Sequence, residues 1–341
     1  MRAMVLEEFN KPLVLKEIPI PDIGDDEILV KMKVCSICNT DNKIKSGLVP
    51  VVKPPAILGH EPSGIVIKTG RNVKTPLIGQ KVTFLHFTSC GKCKNCLVGR
   101  PNNCTVGYQR LGFDKKGGYA EYMAAPAANA FVVPDDFSLE YAALIPDAIC
   151  TSIHALYDQV KIQAGELVLI VGAGGLGIHA LQVAKAAGTT VIVSDISDKK
   201  LERALKLGAD YVVNPSKQSV PDFCKSINNG EGVDVSADFI GLKEASEQAF
   251  HSLRLTGRMV MVGYAPKTTF NVSSEDVAMG ERVIIGSKNR LYHNLATGLK
   301  LILEGKVIPQ IDERFHFTKA NDALDKLANV GFIGRGILLF D

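Results

Sequence analysis

Over the first 130 residues, apolar side chains come in short runs broken by Gly, Pro, Asn and Asp. DEILVKMKVC, VTFLHF and YAEYMAA are examples. This pattern predicts short strands joined by turns, and hence a strand-rich domain. From about residue 150 the rhythm changes. LVLIV, TVIVSD and YVVN are apolar strand-like runs, and the helical stretches IHALQVAKAAG and KKLERALKLGA separate them. VDVSADFIG and RMVMVGY continue the series as further strands. Strands alternating with helices predict βαβ units and a parallel, doubly wound sheet. After RVIIGSKN come one helix, NLATGLKLILEGK, a polar segment and a last strand, GILLFD. The expected fold is α/β: a β-rich domain interrupted by an α/β domain. RMVMVGY is read as an edge strand open to pairing with a second subunit.

A chain of 341 residues exceeds one ordinary core, which agrees with two domains. With 46% hydrophobic and 22% charged residues it has a globular composition. A net charge of +3 gives no support for a nucleic-acid or membrane partner. Glu7 and Glu8 interrupt the apolar stretch that a signal peptide needs. LVLIVGAGGLGIHALQVA is long enough to suggest a membrane span, but four glycines within six residues make it a buried strand followed by a packed helix. The expectation is a soluble, cytoplasmic protein.

The turn GAGGLG carries Gly172, Gly174 and Gly177 in a G-x-G-x-x-G pattern, with Gly175 and Leu176 between the last two. It follows the strand LVLIV and opens a helix, as dinucleotide binding requires. Gly172 permits the tight turn, Gly174 lets a pyrophosphate reach the backbone, and Gly177 lets helix and strand pack closely. Asp195 ends the next strand, eighteen residues beyond Gly177. A carboxylate there accepts hydrogen bonds from the ribose hydroxyls and repels a 2′-phosphate, which predicts NAD over NADP.

Four of the eight cysteines, Cys90, Cys93, Cys96 and Cys104, lie within fifteen residues in CGKCKNCLVGRPNNC. Four thiolates close a tetrahedral shell around zinc and leave no position for a substrate, so this site is read as structural. An iron–sulfur cluster or free thiols are the alternatives. The remaining chemistry is dispersed. VCSICNTD holds Cys35, Cys38 and Asp41; GHEPSG holds His60 and Glu61. Taken singly, Cys35 and Cys38 fit a redox pair and His60 a structural histidine.

Combined, these segments resemble the zinc-dependent medium-chain alcohol dehydrogenase family over nearly the whole chain. CSICNTD is similar to its C-x-x-C-x-T/S-D segment and GHEPSGIVIKTGRNV to its GHE-x-x-G-x-V-x-x-x-G segment. The cysteine loop, GAGGLG, Asp195 and the closing IGRGILLFD follow in the family's order. The resemblance implies a GroES-like catalytic domain over residues 1–146 and 286–341, with a Rossmann domain over 147–285 between them. It implies two zincs per chain, one catalytic and one structural. Cys38 and His60 become catalytic ligands, Glu61 a neighbour able to bind zinc transiently, and Asp41 the carboxylate that holds the His60 ring. Cys35 is no ligand in this pattern.

The third ligand lies in LIPDAICTSIHAL. Many family members have a Cys four residues before a Thr, with an Ala-Leu pair beyond. Thr151, Ala155 and Leu156 fit that spacing and point back to Asp147, whereas Cys150 adjoins Thr151. Some members use an acidic ligand, so Asp147 is favoured; i and i+3 share a helix face, so Cys150 stays open. With Cys38 and Asp147 ionised and His60 neutral, the ligand charge cancels that of Zn²⁺.

The implied reaction is hydride transfer between an alcohol and NAD, giving an aldehyde or ketone, with zinc as Lewis acid. Thr40 matches the family's proton-passing hydroxyl. Where the family often carries an outward proton-relaying His, this chain has Lys43, so exit through water is expected. Resemblance assigns Lys200 to the adenine ribose, Arg335 to the pyrophosphate, and Thr151 with the backbone around Val262 to the nicotinamide. A sorbitol- or threonine-type polyol or amino-alcohol dehydrogenase shares every motif. A zinc-free quinone reductase lacks both cysteine sites, and a non-catalytic nucleotide-binding protein has no need of the open site. Relatives' assemblies imply a homodimer or homotetramer.

Overall fold

The computed structural model describes residues 1–329 and 331–341. The chain forms two compact units: Met1–Asp147 with Leu291–Leu295 and Ile311–Asp341, and Ala148–Arg290 with Ala296–Gln310.

The first unit is built on a seven-stranded sheet. Its central strand, Glu27–Ser36, pairs antiparallel with Glu61–Thr69 on one side and with Arg335–Leu339 on the other, and over its first half with Tyr122–Pro126. This pairing sets Ser36 opposite both Glu61 and Ile337. The ends of three strands far apart in sequence are thereby brought together, and these ends carry the chemistry. VTFLHF splits into two strands, Lys81–Phe84 and Phe87–Thr88, with Leu85 and His86 between them. A core including Met32, Phe84, Tyr119, Met123 and Phe317 fixes the sheet.

The second unit has a six-stranded parallel sheet in the order Tyr211–Val213, Thr190–Ser194, Leu167–Val171, Val233–Asp238, Leu253–Met261, Val283–Gly286. Leu167–Val171 is buried at every position, as a central parallel strand covered on both faces must be. The strand order reverses beside it, which is where open α/β sheets bind ligands. RMVMVGY is not an edge. Leu253–Met261 lies between two neighbours, and Val283–Gly286 ends the sheet instead. The sequence places apolar residues on both strands, and only the pairing order tells them apart.

The boundaries differ from the expected ones. Asp147 belongs with the first unit, and residues 286–290 and 296–310 belong with the second. The reason is packing: Leu301 and Val307 enter the core around Val168 and Ile170, and the Gln182 side chain both donates to the Ile308 carbonyl and accepts from its N–H. Helix Gly177–Ala186 has ten residues, and no helix among the described residues is long and apolar enough to cross a membrane.

Candidate active site and metal centres

Cys38 precedes the short helix Asn39–Lys45, and its N–H donates to Asp41 Oδ2 at 3.0 Å. The same carboxylate accepts from Tyr119 Oη at 3.0 Å, while Oδ1 faces His60 Nδ1 at 3.2 Å. Asp41 therefore fixes the approach of Cys38 and the ring of His60 together, and commits Nδ1 so that Nε2 is the nitrogen turned elsewhere. His60 Nε2 lies 3.8 Å from Glu61 Oε1, and Cys38 Sγ lies 3.7 Å from Asp147 Oδ2. Cys38, His60, Glu61 and Asp147 each offer an atom within 4.8 Å of the others, and all four are buried.

Burial, the largest influence, and the Asp147 charge disfavour the Cys38 thiolate, but Arg335 and His60 together outweigh them and hold the thiol below its ordinary value. Cys35 goes the other way: burial and the Asp41 and Glu61 charges push its thiol well up. Burial also lowers His60, but Asp41 reverses that and holds its pKa well above the ordinary value. Burial drives the Glu61 carboxyl well up despite Arg335, and neither of its oxygens makes a hydrogen bond. A buried carboxylate with no hydrogen bond, paired with the Arg335 cation at 3.2 Å and set beside an imidazole, a thiol and a second carboxylate, has the character of a divalent-metal site.

Asp147 lies in a π-helical turn, Ile145–Ile149, between the α-helical segments Leu139–Leu144 and Cys150–Ile153. A π turn carries an extra residue and breaks the i, i+3 register that kept Cys150 open. Cys150 is buried, but among the described residues it is not part of the ligand cluster.

Arg335 and Tyr119 were not expected here. The Arg335 side chain is buried, with Nη2 2.7 Å from Asp147 Oδ2 and 3.2 Å from Glu61 Oε1, and Nη1 donating to the Ile37 carbonyl. The structure thus places on carboxylates a guanidinium that the sequence reading directed to the cofactor pyrophosphate. No local motif announces this, because Arg335 and Asp147 are 188 positions apart. Thr40 is half-buried, its Oγ1 3.6 Å from Cys38 Sγ.

The four-cysteine loop forms a second cluster. Cys93–Cys96, Cys93–Cys104 and Cys90–Cys96 sulfurs are 3.5, 3.9 and 4.0 Å apart, and none is in a disulfide. Four sulfurs at about 2.3 Å from one zinc stand about 3.8 Å apart, so the donor set fits a closed tetrahedral ion. Leu97 and Val98 in the loop are exposed, and among the described residues no member of a hydrophobic core cluster lies within 90–104.

In the second unit, GAGGLG passes from strand Leu167–Val171 into helix Gly177–Ala186. A Cβ on Gly177 would stand 1.7 Å from the Gly172 oxygen, so only glycine fits there. A Cβ on Gly174 would meet nothing within 4 Å, which leaves the backbone open to a phosphate. Gly175 and Leu176 lead into the helix, and the Leu176 carbonyl accepts from Ala180 N–H. Asp195 accepts from Ala173 N–H at 2.8 Å and from Ser197 N–H at 2.9 Å, with Lys200 Nζ 3.9 Å away. The carboxylate is therefore held against the glycine turn. Thr151 is buried, and Val262 N–H donates to the Asp238 carbonyl at the end of the sheet.

Comparison with known proteins agrees with this architecture. Residues 24–135 match the alcohol dehydrogenase GroES-like domain, and 175–304 match the zinc-binding dehydrogenase family. An alcohol dehydrogenase of Geobacillus stearothermophilus is 37% identical over 343 residues, covering 100% of both chains. An L-threonine 3-dehydrogenase of Streptomyces avermitilis is 33% identical, covering 98% of this chain and 97% of its own. Among solved structures, the alcohol dehydrogenase of Aeropyrum pernix superposes with a TM-score of 0.91 at 29% identity, covering 100% of each chain. The chain belongs to the zinc-dependent medium-chain alcohol dehydrogenase family. It is an oxidoreductase that interconverts alcohols and carbonyl compounds.

Proposed function

We propose that the protein oxidises a small alcohol to an aldehyde or ketone, and runs the reverse, with NAD as hydride partner and one zinc held by Cys38, His60 and Asp147. The observation that carries this reading is the convergence of these donors with Glu61 in one buried cluster. Zinc there supplies a Lewis acid that makes a hydroxyl more acidic, and nicotinamide supplies the hydride acceptor.

The protein's own groups do the rest. Cys38 and Asp147 contribute one negative charge each, and Asp41 keeps the His60 ring in its place. Glu61, without a hydrogen bond, is able to exchange onto the metal. Thr40, beside Cys38, carries a hydroxyl fit to take the alcohol's proton onward. Lys43 is half-buried, and burial lowers its pKa against the pull of Cys38. Its ammonium still has no lone pair to accept that proton, so release runs through water. Gly172, Gly174, Gly175, Leu176 and Gly177 bind the pyrophosphate, Asp195 and Lys200 the adenine ribose, and Thr151 and Val262 the nicotinamide. Steady-state rates with NAD and a panel of primary alcohols, secondary alcohols, polyols and L-threonine test the reading. Turnover of simple alcohols supports it, turnover of L-threonine alone moves it to the amino-alcohol class, and none at all removes it.

Asp195→Ser is expected to weaken NAD, because the ribose loses a charged acceptor worth about 1.5–3 kcal/mol. The ratio of kcat/KM for NAD to that for NADP should fall at least ~10-fold, since 1.36 kcal/mol is a factor of ten. An unchanged ratio contradicts the role of Asp195.

For assembly we favour a homodimer or homotetramer. Val283–Gly286 ends the six-stranded sheet with Val283 and Ile284 exposed, which supports strand-to-strand pairing. Eight cysteines outside any disulfide support a reducing, cytoplasmic setting.

A further inference from the structure

The buried cluster contains a fixed cation as well as metal donors. Arg335 begins strand Arg335–Leu339, and one of its nitrogens, Nη2, bridges Asp147 and Glu61 at 2.7 and 3.2 Å. Its Nη1 is anchored on the Ile37 carbonyl, one residue before Cys38. The guanidinium is therefore tied to both carboxylates and to the backbone that presents the thiol. Asp147 Oδ2 is shared: it accepts from Arg335 and lies 3.7 Å from Cys38 Sγ.

If all three ionise, as metal ligation demands, Cys38, Glu61 and Asp147 crowd three negative charges into a buried volume. Such an arrangement is costly without a counter-charge. Arg335 supplies one that cannot be lost by deprotonation. A divalent ion bound to the same carboxylates supplies the same compensation, and at this separation it is repelled by the guanidinium. The two cations thus act on one set of anions in opposite ways. Arg335 stabilises the assembled donors without metal and weakens their hold on the metal.

We propose that Arg335 is a positioning residue that keeps the open metal site assembled and its zinc exchangeable, by sharing Asp147 and Glu61 with the ion. This rests on the reading of Cys38, His60 and Asp147 as ligands and goes beyond it. It also gives Arg335 a task distinct from contact with a dinucleotide pyrophosphate. By linkage, if removing the guanidinium tightens zinc, the stripped protein must lose more stability than the loaded protein by that same coupling.

The test uses full-length zinc-loaded enzyme as wild type, Arg335→Gln, Arg335→Lys and Asp147→Asn. Zinc release to excess chelator is followed, together with NAD binding and the melting temperature of chelator-stripped protein. Wild type should release two zincs per chain, and the phase missing in Asp147→Asn identifies the open site. In Arg335→Gln that phase should show zinc affinity raised on the order of tenfold or more, while the four-cysteine phase is unchanged. Stripped Arg335→Gln should melt below stripped wild type, with the gap narrowed when zinc is restored. Arg335→Lys, which keeps the charge, should stay closer to wild type in both readouts.

If wild type releases only one zinc, the ligand reading itself fails and this proposal with it. If two are released but Arg335→Gln holds the open-site zinc no more tightly than wild type, the proposal alone is overturned. A variant that only weakens NAD has that result and restores Arg335 to the pyrophosphate. Failure of Arg335→Gln to fold with zinc supplied also overturns the proposal, because the metal would then be unable to replace the missing charge.

Discussion

Cys38→Ser is expected to lower kcat/KM for alcohol oxidation by about three orders of magnitude and to reduce zinc from two ions per chain to one. The thiol has a lowered pKa because Arg335 and His60 together offset the penalty of burial, and it lies within reach of Asp147 and His60. Serine keeps the size but brings a hydroxyl that stays neutral, so the donor set loses one negative charge and its only sulfur. Lewis-acid stabilisation of developing charge amounts to several kcal/mol, and about 4 kcal/mol corresponds to ~10³ in rate. The fold should survive, because Cys38, though buried, is not a member of the hydrophobic cluster around Met32 and Tyr119, and its N–H bond to Asp41 does not use the side chain. Steady-state kinetics beside metal analysis checks both parts. Activity within tenfold of wild type would remove Cys38 from the catalytic site.

The second large effect concerns stability. Cys93→Ser is expected to unfold the loop 90–104 and lower the melting temperature by about 5–10 °C, from the loss of a few kcal/mol in a large domain. The loop has only short helices, Lys94–Leu97 and Pro101–Asn103, and its apolar side chains Leu97 and Val98 face outward. Backbone N–H groups, that of Cys96 foremost and then that of Thr105, lower the Cys93 thiol to about 6, whereas burial and the Cys93 side chain raise Cys96 to about 11. Zinc bound there would hold all four as thiolates. Lys92 and Lys94 are exposed, so trypsin reports the change: cleavage in this loop should accelerate at least ~10-fold as local opening becomes easier. A variant with unchanged melting and proteolysis would show that the loop does not depend on the four-sulfur site.

The parts of this architecture that rest on local patterns are legible in the chain. The doubly wound sheet follows from runs such as Leu167–Val171, whose burial at every position matches an unbroken apolar sequence. The glycine turn is legible because Gly177 has no room for a side chain and Gly174 has open space, both local constraints. Cys90, Cys93, Cys96 and Cys104 are legible because a tetrahedral ion needs only short spacing.

Features that depend on tertiary pairing are not. The π turn around Asp147 widens the helix by one residue; Pro146, with no N–H to donate, signals a break in the helix there but not the form it takes. Arg335 reads as a cofactor-facing residue in IGRG, but strand pairing with Glu27–Ser36 brings it to Glu61 and Asp147. Tyr119, in a run of small residues, gives no sign that its hydroxyl holds Asp41. The sheet edge passes from RMVMVGY to Val283–Gly286 for the same reason: an apolar strand does not state which neighbours it will have.

The claim on which the rest depends is that Cys38, His60 and Asp147 grip one ion. Zinc anomalous scattering from crystals of wild type, Asp147→Asn and Cys150→Ser addresses it directly. The expected result is two peaks per chain in wild type and in Cys150→Ser, with the peak beside Cys38 lost or displaced only in Asp147→Asn. A peak beside Cys38 that persists in Asp147→Asn and vanishes in Cys150→Ser would contradict the account.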